Sequence, residues 1–185
     1  MRIMSKKQNE RKYLLKESEI SLVIDSYDDI FSDFDPRPYS QRSLSQDFLD
    51  EAKRASHDKK YEKIELKFLA PKQIRNAGEE AMIRKRLKEH FRKHAQEMRR
   101  EHMRMIKEGI FFVLLGFIFM AGTTYFLLNK QNSILFTFLS VFLEPGGWFL
   151  LWEGLYLIIF DSRREIPYLD FYRKMASADI SFKNY

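Results

Sequence analysis

Between Ile110 and Leu128 the chain carries no charged residue. At a helical rise of about 1.5 Å per residue, a run of that length crosses roughly 30 Å, the thickness of a bilayer's hydrocarbon core. A second apolar run, Ile134 to Phe160, follows the short connector Asn129-Lys130-Gln131-Asn132-Ser133 and is interrupted by Glu144 and Glu153. It exceeds the roughly 20 residues that a perpendicular span needs, so it is expected to tilt, break or continue past the membrane. What remains of the 185 residues suffices for one small domain.

The Lys/Arg bias sets the expected orientation. Arg92, Lys93, Arg99, Arg100, Arg104 and Lys107 precede the first run, Arg163 and Arg164 follow the second, and the connector holds a single lysine. The pattern predicts a multi-pass protein of the inner (plasma) membrane, with both termini cytoplasmic and a tight hairpin outside. The stretch Met1 to Lys16 is basic but lacks the apolar core of a cleavable signal, so the first span is expected to act as its own insertion signal. With no cysteine, the chain has no disulfide, thiolate metal site or cysteine nucleophile. The net charge of +6 is concentrated beside the spans, where anionic headgroups attract each basic residue by about 1 kcal/mol. Nucleic acid is not required to explain it, and sequence-specific DNA binding is not expected.

The expected fold class is an α+β membrane protein. A basic tail (1–16) precedes a cytosolic α/β module (17–76), a long basic juxtamembrane helix (77–108), a transmembrane hairpin (109–160) and a cytosolic C-terminal helix with a strand (161–185). Ile20, Leu22 and Ile24 alternate with Ser21 and Val23, and Ile64, Leu66 and Phe68 alternate with Glu65 and Lys67, the period of strands buried on one face. Between them, Ser43 and Gln46 have capping-box spacing and predict a helix from there to about Ser56. Strand, helix, strand favours parallel pairing. Two strands are too few, so Asp179-Ile180-Ser181-Phe182, after a helix from Ile166 to about Ala176, is expected to complete the sheet in place of a neighbouring subunit's strand. From about Ala77 the chain reads as one helix entering the membrane, with an inner stripe at Ile83, Leu87, Phe91, Ala95, Met98, His102 and Met105. Unbroken to Leu128, that lever would span roughly 75 to 80 Å.

Six of the seven glycines lie between Gly109 and Gly154, which leaves the soluble part without a phosphate-cradling loop and excludes P-loop or dinucleotide chemistry. The segment Asp25 to Arg37, with Asp28, Asp29, Asp33 and Asp35, is the best candidate for divalent-metal or phosphotransfer chemistry. It lacks both the surrounding α/β fold and a glycine turn, so its aspartates are expected to serve as caps, turns and ion pairs with Arg37 and Arg42. His90 and His94 stand one helical turn apart, a spacing at which two imidazoles share a metal, but no third ligand is evident. The reading is therefore of a protein that is not an enzyme and has no metal or cofactor. Arg84, Lys85, Arg86, Lys88, Arg92, Lys93, Arg99 and Arg100 form either a solvated face or a surface for an anionic ligand: lipid, a nucleotide or a short oligonucleotide.

Glu144-Pro145-Gly146-Gly147 is the strongest functional signal. About 11 residues inward from Ser133 place Glu144 at the bilayer midplane and Glu153 nearer the inner interface. Pro145 suits the first position of a new half-helix, so the second helix is expected to break there, with Glu144 at the cap and the Val141 carbonyl free. A carboxylate with free carbonyls binds cations, and glutamate rings select them, which makes Glu144 and Glu153 candidates for an ion pathway. The alternative is packing: Glu144 held against Thr123, Thr124 or Lys130 while the helices meet through Gly146, Gly147 and Ala121.

A long charged helix feeding a two-helix membrane hairpin, Ala77 to Phe160, with a small cytosolic module resembles the SLATT-type two-transmembrane effectors of bacterial nucleotide-linked defence systems. The resemblance implies a homo-oligomeric pore that damages membrane potential when a signal reaches its cytosolic part. Two functions follow as expectations: a homo-oligomeric channel gated by its cytosolic domain, or a membrane-anchored scaffold or sensor that recruits a cytosolic partner.

Overall fold

The computed structural model describes residues 19–57, 64–128 and 134–184. The basic tail before Glu19 and the connector at Lys130, both named above, lie outside the described residues. Three strands and four α-helices follow one another: β1 (Glu19–Val23), α1 (Gln46–His57), β2 (Glu65–Ala70), α2 (Ala77–Leu128), α3 (Ile134–Tyr156), α4 (Ser162–Ser177) and β3 (Asp179–Asn184). Short 3₁₀ turns occupy Tyr27–Ile30 and Lys72–Ile74, and a π-helical turn, Leu157–Asp161, joins α3 to α4. The chain divides into two units: residues up to Gln96 with those from Asp170 onward, and Glu97–Leu169. The protein is thus mixed helix and small sheet, with two helices long and apolar enough to cross a membrane.

In the first unit the sheet is parallel throughout, in the order β1-β2-β3. Its register aligns Leu22 with Phe68 and Phe68 with Phe182. The C-terminal segment of the same chain therefore completes the sheet that two strands alone could not, in place of a neighbouring subunit's strand. The alternation in β2 puts Leu66, Phe68 and Ala70 on the buried face, where Phe68 stacks on Phe182 at 5.0 Å and meets Phe48 of α1 at 5.8 Å. Ile83, Leu87 and Phe91 of α2 and Phe171 and Met175 of α4 close the core.

A polar network ties the loop after β1 to the start of α2. The Tyr27 hydroxyl donates to Glu80 at 2.9 Å and accepts from the Asn76 amide at 3.0 Å. Arg75 pairs with the buried Glu80 and reaches Asn184 of β3 at 2.6 Å. A buried carboxylate is tolerated only when paired and hydrogen-bonded, so Glu80 holds three segments together.

Three boundaries differ from the sequence reading. Helix α1 starts at Gln46 and not at Ser43, because Ser43 is used elsewhere: its carbonyl accepts from Ser32 at 2.9 Å and its amide donates to Asp35 at 2.7 Å. Ser45 instead supplies the first helical carbonyl, to Leu49 at 3.1 Å. Helix α4 starts at Ser162 and runs through Pro167, because the Ser162 amide finds the Leu157 carbonyl and no separate cap is needed. The third correction concerns Glu144-Pro145-Gly146-Gly147, which does not break the second helix. Helix α3 is continuous through Pro145. A proline removes one donor and displaces one carbonyl, a local loss that the flanking turns of an apolar helix tolerate. The departure from α geometry comes instead at Leu157–Asp161.

Phe68→Ala should cost this unit about 3 to 5 kcal/mol, read as accelerated hydrogen exchange of the β2 amides in the purified full chain.

Candidate functional site

Helices α2 and α3 run antiparallel and touch through glycines seven residues apart. A Cβ built on Gly154 would lie 2.5 Å from the Gly109 carbonyl oxygen, and one on Gly116 would lie 2.8 Å from that of Gly147. Backbones this close exclude any side chain, the close approach that small residues permit between apolar helices. Thr123 continues the α2 stripe and is buried, its hydroxyl donating to the Phe119 carbonyl at 3.1 Å. Of the packing residues expected from sequence, Gly147 is in the contact. Gly146 meets only the Phe119 ring at ordinary distance and Ala121 is exposed. The sevenfold spacing of Gly109 with Gly116 and of Gly147 with Gly154 was the signal that could have found it.

Glu144 takes no part in that contact. It is exposed on α3, about 60° around the helix from Gly147. Trp148, Trp152 and Tyr156 follow it at four-residue intervals, all exposed. The hydroxyls proposed as its packing partners bond their own helix, Thr123 as above and Thr124 to the Met120 carbonyl at 2.9 Å. Glu153 is half-buried and, two and a half turns further on, points to the opposite side of α3. The structure therefore does not bring the two carboxylates onto one face. It leaves Glu144 as an ionisable group on an outward apolar surface.

In the small unit, the Asp-rich loop is internally paired, as expected. Ser26 and Asp29 form a capping box around the 3₁₀ turn. Arg37 grips Asp35 through two hydrogen bonds of 2.8 and 2.7 Å, and Arg42 reaches Asp28 at 2.5 Å. The Arg37 guanidinium and the Ser43 amide hold the Asp35 carboxyl well below the usual carboxylate range. Among the described residues no group of three or more His, Asp or Glu is arranged to hold a metal ion.

The basic residues divide into two sets. Arg84 lies over the Phe182 ring at 6.0 Å and Arg86 donates to the Arg42 carbonyl at 3.1 Å, so both are built into the fold. Lys85, Lys88, Arg92, Lys93, Arg99 and Arg100 are exposed on α2. His90 and His94 have ring centroids 4.3 Å apart with their planes tilted by 50°, and both rings neighbour Tyr172 of α4. Burial, then the charges of His94, Arg86 and Lys93, push the His90 imidazole down to about 4. No known protein family, curated protein or solved structure matches this chain.

Two outcomes are expected. Gly154→Val should separate α2 from α3 and lower the thermal midpoint of the Glu97–Leu169 unit, measured by tryptophan fluorescence, whereas Gly146→Ala should leave it within a few degrees. His90 is neutral in the fold and its folded value lies below the 6.5 of the free side chain, so the unfolded chain gains a proton first as pH falls. Stability should therefore drop between pH 6.5 and about 4, and His90→Leu should lessen that drop in denaturation midpoints taken across the window.

Proposed function

We propose that this chain is a homo-oligomeric membrane channel or pore-forming protein of the inner membrane, gated by its small α/β unit, with both termini in the cytoplasm. The observation that carries the reading is Glu144, exposed on an apolar helix whose packing within the chain does not use it. Facing lipid, such a carboxylate costs roughly 3 kcal/mol or more. Copies of the α2–α3 hairpin gathered around an axis remove that cost by turning Glu144 into a shared, water-filled path. Two spans cannot enclose a conduit alone, and a ring of carboxylates favours cations. On this reading Glu153, on the opposite side of α3, belongs to helix packing or to the rim of the path.

Gating has a physical route, because α2 and α4 each contribute residues to both units. The exposed Lys85, Lys88, Arg92, Lys93, Arg99 and Arg100 suit an anionic signal, a nucleotide or short oligonucleotide, or the headgroups beside the span. The resemblance to SLATT-type effectors supports a role in bacterial defence for such a pore.

Purified protein in liposomes should pass cations. Glu144→Gln should lower the cation-to-anion permeability ratio about fivefold, the equivalent of about 1 kcal/mol. Intact oligomers that leave the liposomes tight, with and without nucleotides or oligonucleotides, would reject the channel and favour a membrane-anchored scaffold.

A further inference from the structure

Phe34 is 98 % exposed, the most exposed large apolar side chain among the described residues. It does not stand on a loose loop. The turn Ser32 to Asp35 closes on itself through the Asp35 amide and Ser32 carbonyl at 3.2 Å, and the Ser32 amide bonds the Ser43 carbonyl at 2.9 Å. Arg42 donates to the Ser32 carbonyl at 2.9 Å, and the Ser43 amide and Arg37 fix Asp35 from the other side. An aromatic ring presented on a turn clamped at both ends has already lost the freedom that binding usually removes. Phe34 has the character of an anchor without a pocket in its own chain.

Charge identifies the partner. Asp33, next to the ring in the chain, keeps an 89 % exposed side chain, and although Arg42 pairs with it and with Asp28, the loop from Asp25 to Arg42 carries five aspartates against two arginines. Anionic headgroups and acidic surfaces repel such a tip, so its receptor must be an apolar spot among cations. The chain itself displays one. Opposite the buried stripe of Ile83, Leu87 and Phe91, α2 exposes Met82 with Lys85, Lys88 and Arg92 on the neighbouring turns; Glu89, 3.9 Å from Lys85, offsets part of that positive charge. Methionine adapts to an incoming ring, and lysine or arginine over an aromatic face adds cation–π attraction.

We infer that the Phe34 turn of one protomer docks on the Met82, Lys85, Lys88 and Arg92 face of α2 in the next copy. The two surfaces are different, so the contact is head-to-tail and closes into a ring when the rotation allows. The inference rests on the homo-oligomeric reading above and supplies the contact between its small units.

The absence of cysteine makes the test direct. Phe34→Cys and Met82→Cys are placed in separately tagged full-length chains, co-expressed, purified in detergent and treated with a short bismaleimide. A mixed covalent dimer is expected, with like-with-like dimers no stronger than those of the exposed control Gln73→Cys, and the double variant should form a ladder of multimers. Lys85→Glu with Lys88→Glu should cut the mixed product roughly fivefold, and adding Asp33→Lys should recover part of it. Cross-linking at the control level in protein that light scattering shows to be oligomeric overturns the contact and leaves the channel reading standing. Monomers alone overturn both. Quenching of a fluorophore on Phe34→Cys by spin-labelled lipid would place the turn in the bilayer and also overturn the contact.

Discussion

Gly154 meets the Gly109 carbonyl, and Gly116 the Gly147 carbonyl, at distances that leave no space for a methyl group. Everything else about the long helices follows from this exclusion. It brings α2 and α3 together backbone to backbone, so their bulky residues, Phe117 and Ile118 on one helix and Trp148 and Phe149 on the other, are turned outward. The contact consumes the small residues and leaves the carboxylate of Glu144 outside. A packing mode based on large side chains would have drawn residues near Glu144 into the interface and given it a structural use. Here the helix pair is complete without it, and its presence asks for a different explanation.

The small unit solves a different problem. Three strands bury little, and the core is thickened by aromatic stacking, Phe68 on Phe182, and by helices before and after the sheet. One polar network in its interior joins Tyr27, Arg75 and Glu80 beside the C-terminal ends of the strands. In many α/β folds that end of the sheet holds a ligand. In this chain the residues there are already committed to each other, and the nearby aspartates are spent on capping and on Arg37 and Arg42. The outer surface carries a presented ring, a row of exposed cations on α2 and a carboxylate on α3.

Period was legible in the sequence, and local breakers were misleading. Alternation in Ile20 to Ile24 and in Ile64 to Phe68, and the stripe Ile83, Leu87, Phe91, located the strands and the buried side of α2, because burial imposes those periods directly. The third strand was legible only because two strands are too few for a sheet, and the structure buries its Ile180 and Phe182. Ser43 looked like a helix cap, but tertiary pairing with Ser32 and Asp35 claimed it, an interaction that no local pattern announces. Pro145 looked like a helix end, yet the surrounding apolar turns kept their bonds, while the real irregularity at Leu157–Asp161 carries neither proline nor glycine. The glycine contact was present in the spacing and hidden by proximity: Gly146 and Gly147 drew notice as a pair, whereas the helices read positions a full heptad apart. Glu144 was recognised as unusual from its neighbours alone, but its orientation and that of Glu153 required the helix to be shown continuous.

The pairing of β2 with β3 has a consequence for biosynthesis. Leu66 lies beside Ile180, and both apolar helices are made between them. While those helices leave the ribosome, the nascent sheet has only β1 and β2, and Leu66 and Phe68 have no third strand to lie beside. Contacts across so much chain form late and slowly. The globular unit therefore closes its sheet only after both apolar helices have been made, and its core is completed by the last residues of β3.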